Sequence, residues 1–230
     1  MINPFEDLNK TLVACRLCPR LVGWREQVAV EKRRAYRDWE YWGKPVPGFG
    51  DPAARVLVVG LAPGAHGSNR TGRMFTGDAS GDFLYAALHR AGFANQPVTQ
   101  HRGDGLVLQD MFISAVCRCV PPGNRPTPVE IATCLAYLRQ EMVLLTRLQI
   151  IIALGRIAFD TILRLYADRS GSPGFEVSRF HFAHGASYDL GPQNPHLIAS
   201  YHPSRQNTQT GRLTTAMFDA VWSAARALLR

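Results

Sequence analysis

Four cysteines carry the clearest chemical signal in this chain. Cys15 and Cys18 stand near the start, and Cys119 and Cys134 lie in the middle. Four thiolates around one centre suit an iron–sulfur cluster or a structural zinc. Two pairs so far apart close one site only if the fold lays the N-terminal segment onto the centre of the chain. A fifth cysteine, Cys117, sits two residues before Cys119 and could take its place. An odd number of cysteines argues against a disulfide scaffold, and the spacing favours a metal site in a reducing compartment.

The remaining candidate groups fall in three loops. The first runs from Gly60 to Gly81 and is rich in glycine. It lacks the Gly-Lys-Ser/Thr ending of a P-loop and is too long and irregular for a dinucleotide fingerprint, so nucleotide binding is disfavoured. A pocket floor where backbone meets a flat ligand fits better. The second loop, Cys119 to Pro126, holds Asn124 between prolines. The third, Ser200 to Asn207, presents His202, pinned in extended backbone by Pro203.

Elements that would position these loops are legible. Four apolar runs, 55–60, 111–115, 149–155 and 196–200, read as buried parallel strands. Helical stretches lie between and after them. One covers Asp82 to Ala91. Another opens at Thr127-Pro128-Val129-Glu130 with the signature of a capping box. Others span Ile157 to Tyr166 and the apolar face Leu213, Met217, Val221 and Leu228. The alternation predicts a three-layer α/β/α sandwich around a mainly parallel, four-stranded sheet. Ligands in such folds bind beyond the carboxyl ends of the strands, where the three loops lie.

Residues 1–50 read as an N-terminal arm on a single domain of 230 residues. The arm carries a basic–aromatic run, Lys32 to Trp39. Interleaved arginines and aromatics could stack on bases or grip a backbone. The favoured reading is a solvated helix whose aromatics pack on the body. The net charge of +8 suits a polyanionic partner, with nucleic acid the first guess. Lys10, Lys32 and Lys44 are the only lysines, so imine chemistry in the main body is excluded. No apolar run approaches membrane-spanning length, and Met1 to Asp7 lacks the basic start of a signal peptide. A cytoplasmic monomer is expected.

Taken together, these motifs identify a resemblance to the family 5 (type b) uracil-DNA glycosylases of the iron–sulfur group. Gly60-Leu61-Ala62-Pro63-Gly64-Ala65-His66-Gly67 resembles that family's first active-site motif, Phe75 to Gly81 its continuation, and His202-Pro203-Ser204 the second motif. The cysteines match the cluster ligands in order and approximate spacing. The basic residue before Cys119 and the Pro-Pro after it select Cys119 over Cys117, giving Cys15, Cys18, Cys119 and Cys134 as ligands of a [4Fe-4S] cluster, with zinc the runner-up. Family 4 relatives carry an acidic residue where this chain has Leu61 and a base-reading Asn where it has Ala115.

The resemblance implies a monofunctional glycosylase that flips uracil from double-stranded DNA and hydrolyses the glycosidic bond. It assigns water positioning to Asn124 and implicates Asp78, although an Asp before a helix is also a common N-cap. His202 is the expected donor to uracil O2, and Phe75 the expected stacking partner. Gly64, Ala65, His66 and Ala115 are expected to line the pocket. Asn69, Arg70 and Arg73 of the first loop, with Ser204, Arg205, Gln206 and Asn207 of the third, are expected on the duplex. His184 reads as a structural loop residue. Leu61 and Ala115 predict tolerance of other deaminated bases. The rival reading is a non-catalytic nucleic-acid-binding module with a structural metal.

Overall fold

The computed structural model describes residues 4–170 and 175–229, so the opening Met1, Ile2 and Asn3 lie outside the described residues. The four apolar runs become β2 (Val56–Gly60), β3 (Met111–Ala115), β4 (Ile150–Leu154) and β6 (His196–Ser200). They pair in parallel, in the order β3-β2-β4-β6. Burial on both faces explains their unbroken apolar character.

The expected four-stranded sheet has six strands among the described residues. Short β1 (Phe49–Gly50) pairs antiparallel with β3, and β5 (Ser187–Asp189) pairs antiparallel with β6. Strands of two and three residues are too short to show a period-2 pattern, which is why the sequence conceals them.

Alternate residues of the central strands feed two cores. Leu57, Val59, Ile151 and Ala153 face α1 (Pro4–Val13), α5 (Pro128–Leu144) and α6 (Arg156–Ser170). Val56, Val58, Ile150 and Ile152 face α4 (Ala79–Arg90) and α8 (Thr215–Leu228). The result is the expected three layers. Thr127 and Glu130 form the reciprocal capping box that opens α5. In α8 the cap is Thr214, whose hydroxyl accepts from the Met217 N–H.

Cys15 and Cys18 lie between α1 and α2 (Pro19–Glu31), and the arm docks across the sheet. Phe5 of α1 packs on Phe112 of β3, with ring centroids 5.0 Å apart. The run after α2 departs from the expected helix. It holds a single 3-10 turn, Arg34–Tyr36, because Lys32 ends α2 with φ +52°. Among the described residues no helix is long and apolar enough to cross a membrane.

Candidate active site and thiol site

The tips of β2, β3 and β6 open into a cavity of about 540 Å³. Gly64, Ala65, His66, Phe75, Asp78, Ala115, Asn124 and His202 all line it, as do Leu61, Ser204 and Arg205. The three loops therefore meet where the sheet topology places a ligand.

Phe75 is held in an unusual backbone state. Its φ is +52°, a left-handed conformation that costs a bulky residue about 1–3 kcal/mol. Two glycines make room for it. A Cβ on Gly60 would stand 2.9 Å from its ring, and one on Gly81 would stand 1.7 Å from its carbonyl oxygen. The ring stacks, tilted by 31°, on His202, with centroids 5.7 Å apart. A flat aromatic surface thus lines the cavity.

His202 ends the chain's passage out of β6. Its carbonyl accepts from the Asn207 side-chain amide and from the Ser204 N–H, both at 2.8 Å. Burial pushes the imidazole pKa down to about 4, so the ring is neutral at neutral pH. A neutral imidazole can donate one N–H without carrying a charge into the cavity.

Asp78 caps a helix and also faces the cavity. Its Oδ1 accepts from the Ser80 and Gly81 N–H groups at 3.0 and 3.1 Å, capping α4. Its Oδ2 has no partner within the described residues and presses on the first loop. A Cβ on Gly67 would lie 2.0 Å from that oxygen. Burial raises the carboxyl above its ordinary range, and the two N–H groups and the charge of Arg70 act against the rise. Across the cavity Asn124 is also left-handed, with φ +57°, which asparagine tolerates well. Its exposed side-chain amide has no protein partner among the described residues.

Three of the expected DNA contacts are corrected by their burial. Asn69, Arg70 and Arg73 are 0%, 4% and 3% exposed. Asn69 donates from its amide to the Arg25 carbonyl. Arg70 donates to the carbonyls of His66 and Gly77, and its guanidinium lies 3.9 and 4.1 Å from the ring centroids of Tyr36 and Trp39. Arg73 forks onto Asp104 at 2.6 Å and donates to Thr76 and Thr99. These side chains bind the carbonyls and hydroxyls that the irregular loop leaves unpaired. In the third loop Asn207 and Ser204 serve internally, Ser204 as N-cap of the short helix α7 (Arg205–Gln209). Arg205 and Gln206 remain exposed. His184 is structural, its ring bridging the Tyr201 N–H and the Met217 carbonyl.

Sequence reading missed two residues of the cavity wall. Arg33 and Tyr36 of the arm line it. The interleaved basic–aromatic run was the signal, but nothing in the sequence tied it to the first loop. His66, beside them, bonds to the Tyr41 hydroxyl at 3.2 Å, and burial followed by the charges of Arg33 and Arg70 lowers its pKa.

The cysteines build a second, smaller cavity. Cys15, Cys18, Cys119 and Cys134 line it together with Arg118 and Tyr137, and Cys117 does not. Cys117 is fully buried, and its interaction with the neighbouring Cys134 together with burial raises its thiol pKa. Arg25 donates to Cys119 Sγ at 2.9 Å, and the Arg118 N–H donates to Cys134 Sγ at 3.2 Å. Both guanidinium groups are buried, and Arg25 Nε, Arg118 Nε and Arg118 Nη1 have no partner. Arg118 already pairs with buried Glu141, whereas Arg25 donates to sulfur; four thiols with donors aimed at them fit a sulfur-bound group. Among the described residues no three such ligands gather closely enough to hold a single metal ion.

Comparison with known proteins identifies the family. Residues 47–226 match the Uracil DNA glycosylase superfamily. The chain is 53% identical over 223 residues to a type-5 uracil-DNA glycosylase of Thermus thermophilus, covering 97% of each. It is 52% identical to one of Mycobacterium tuberculosis, covering 96% of this chain and 81% of that protein. A Pyrobaculum aerophilum type-5 uracil-DNA glycosylase is 41% identical, with 97% and 92% covered. The chain therefore belongs to the uracil DNA glycosylase superfamily and, within it, to the type-5 uracil-DNA glycosylases.

Proposed function

We propose that this chain hydrolyses the N-glycosidic bond of uracil flipped out of double-stranded DNA, acting as a monomer in base excision repair. The carrying observation is the convergence, on one cavity, of an aromatic face, a neutral imidazole, the Asn124 amide and the Oδ2 of Asp78. A merely DNA-binding module has no use for that convergence.

The extruded base would lie against Phe75. As the bond lengthens, negative charge grows on the base and positive charge on the sugar. His202, neutral near pH 7, donates an N–H to uracil O2 and stabilises the leaving base. Asn124 orients a water toward the anomeric carbon. Asp78, whose raised pKa strengthens it as a base, receives the water's proton through its free Oδ2, and its charge favours the cationic sugar. With no lysine beyond Lys44, the products are free base and an intact abasic site. Leu61 and Ala115 place no charged or amide group at the base, which supports acceptance of other deaminated bases such as hypoxanthine.

Cys15, Cys18, Cys119 and Cys134 would hold a [4Fe-4S] cluster. The Arg25 donor on Cys119 Sγ suits an anionic thiolate-bound group, and the type-5 resemblance favours the cluster over zinc. When bound, the cluster supplies a structural crosslink between the arm and the segment 118–134.

The test is incubation of the protein with end-labelled duplex bearing one uracil opposite guanine, with and without hot alkali. Cleavage that requires alkali is expected. No cleavage despite salt-sensitive DNA binding would favour the binding module. Equal rates on hypoxanthine and on undamaged adenine, or strict rejection of every base but uracil, would refute the wider base range.

A further inference from the structure

The first loop and the arm are locked together by one buried side chain. Arg70 reaches the carbonyls of His66 and Gly77 with its N–H groups, while its planar face lies on Tyr36 and Trp39. These contacts are charge-assisted and largely desolvated, so the turn of the arm is fixed against the cavity rather than left loose. Lys32, the remaining anchor, folds its ammonium back onto the Arg37 carbonyl at 3.1 Å.

That fixation leaves three cations outward. Arg33, Arg34 and Arg37 are exposed, and none of their guanidinium groups has a protein partner among the described residues. Arg33 stands at the cavity itself, in the same wall as Tyr36, and its charge is felt at His66. Arg205 lines the same cavity from the third loop. Unpaired arginines at a cavity that admits a base face the phosphates on either side of that base.

We propose that the turn 32–37 is a second jaw of the DNA-binding cleft, with Arg33 gripping the phosphate backbone beside the flipped nucleotide opposite Arg205. The proposal rests on the reading that the substrate is DNA. Arg33 is a positioning residue: it holds the strand and takes no part in bond cleavage. Tyr36 is its support, held by Arg70.

The test compares Arg33→Gln, Arg205→Gln and Arg139→Gln by fluorescence anisotropy on an undamaged duplex over a salt series, and by single-turnover excision on a uracil duplex. Arg139 is a distant exposed arginine paired with Asp168. Arg33→Gln is expected to weaken binding about tenfold at low salt and to reduce the salt slope by about 1. The excision rate at saturating enzyme should stay within about twofold, with the loss confined to the concentration dependence. An unchanged affinity and slope for Arg33→Gln, or an equal change for Arg139→Gln, would overturn the proposal. Failure of the wild-type protein to excise uracil would instead refute the catalytic reading, and the binding arm would still report on Arg33.

Discussion

The candidate active-site cavity and the thiol cavity share one stretch of chain and treat their polar groups in opposite ways. Ala115 and Pro121 line the first, while Arg118 and Cys119 line the second. In the candidate active site the Asn124 amide, the His202 ring and Asp78 Oδ2 have no hydrogen-bond partner among the described residues. Around the thiols, N–H groups already aim at sulfur, from buried Arg25 and from the Arg118 backbone, while the Arg118 side chain is paired with Glu141. One region is arranged to meet a visitor, the other to enclose a resident. The backbone repeats the contrast. Left-handed Phe75 and Asn124 mark the catalytic side, and a helical arm docked over a long sequence distance marks the other.

This contrast breaks if the two sites respond alike to mutation. Asp78→Asn and Asn124→Ala are expected to lower the single-turnover rate by about 10²–10⁴-fold. For Asp78→Asn the melting temperature should hardly move, since asparagine keeps the cap of α4. Cys134→Ser should do the reverse, losing visible absorbance and soluble yield together. A coloured, soluble Cys134→Ser protein would contradict the ligand assignment.

Asp104→Asn tests whether the scaffold behind the first loop belongs with the stable side. Asp104 pairs with buried Arg73. Burial alone would raise its carboxyl, but Arg73 and the N–H groups of Gln100 and Leu106 hold it well below the usual range. Breaking this pair should cost about 3 kcal/mol, read as a drop of about 6–12 °C in melting temperature. The sign follows from the depressed pKa. The stabilisation is present above the unfolded carboxylate value of about 4 and is lost as pH falls toward the folded one.

Gly67→Ala sharpens the comparison on the catalytic side. The new Cβ would press on Asp78 Oδ2, and a carboxylate displaced by about 1 Å should cost about 100-fold in rate. The smallest effect is in the pH profile. Excision should decline as pH falls through the raised pKa of Asp78, above the ordinary value of about 4. His202 stays neutral until about pH 4. Asp78→Asn should remove that acid limb from its residual activity, and a limb that survives would assign it elsewhere.

Much of this was legible in sequence because the signals were local. Unbroken Val and Ile runs marked the parallel strands, and Thr127 with Glu130 marked the start of α5. The edge strands were hidden by their brevity. The arginines of the first loop misled for a physical reason: Arg70 and Arg73 sit in a polar, glycine-containing stretch and look solvated, yet an irregular loop needs buried donors for its carbonyls. The partners Tyr36 and Asp104 lie about 30 residues away, with no pattern to announce them. The thiol site was found despite its range because cysteine is rare and its chemistry is narrow.

The docking of the arm also bears on how the protein is made. Cys15, Cys18 and the apolar side of α1 leave the ribosome early, but Cys134 and the α5 residues they pack against come more than a hundred residues later. At about 5–20 residues per second the arm waits on the order of ten seconds for its seat. During that interval Phe5, Leu8 and Leu12, buried in the finished molecule, stand open to solvent and to chaperones. Assembly of the four-cysteine site is thereby a late event in biogenesis, coupled to completion of the chain's middle rather than to its beginning.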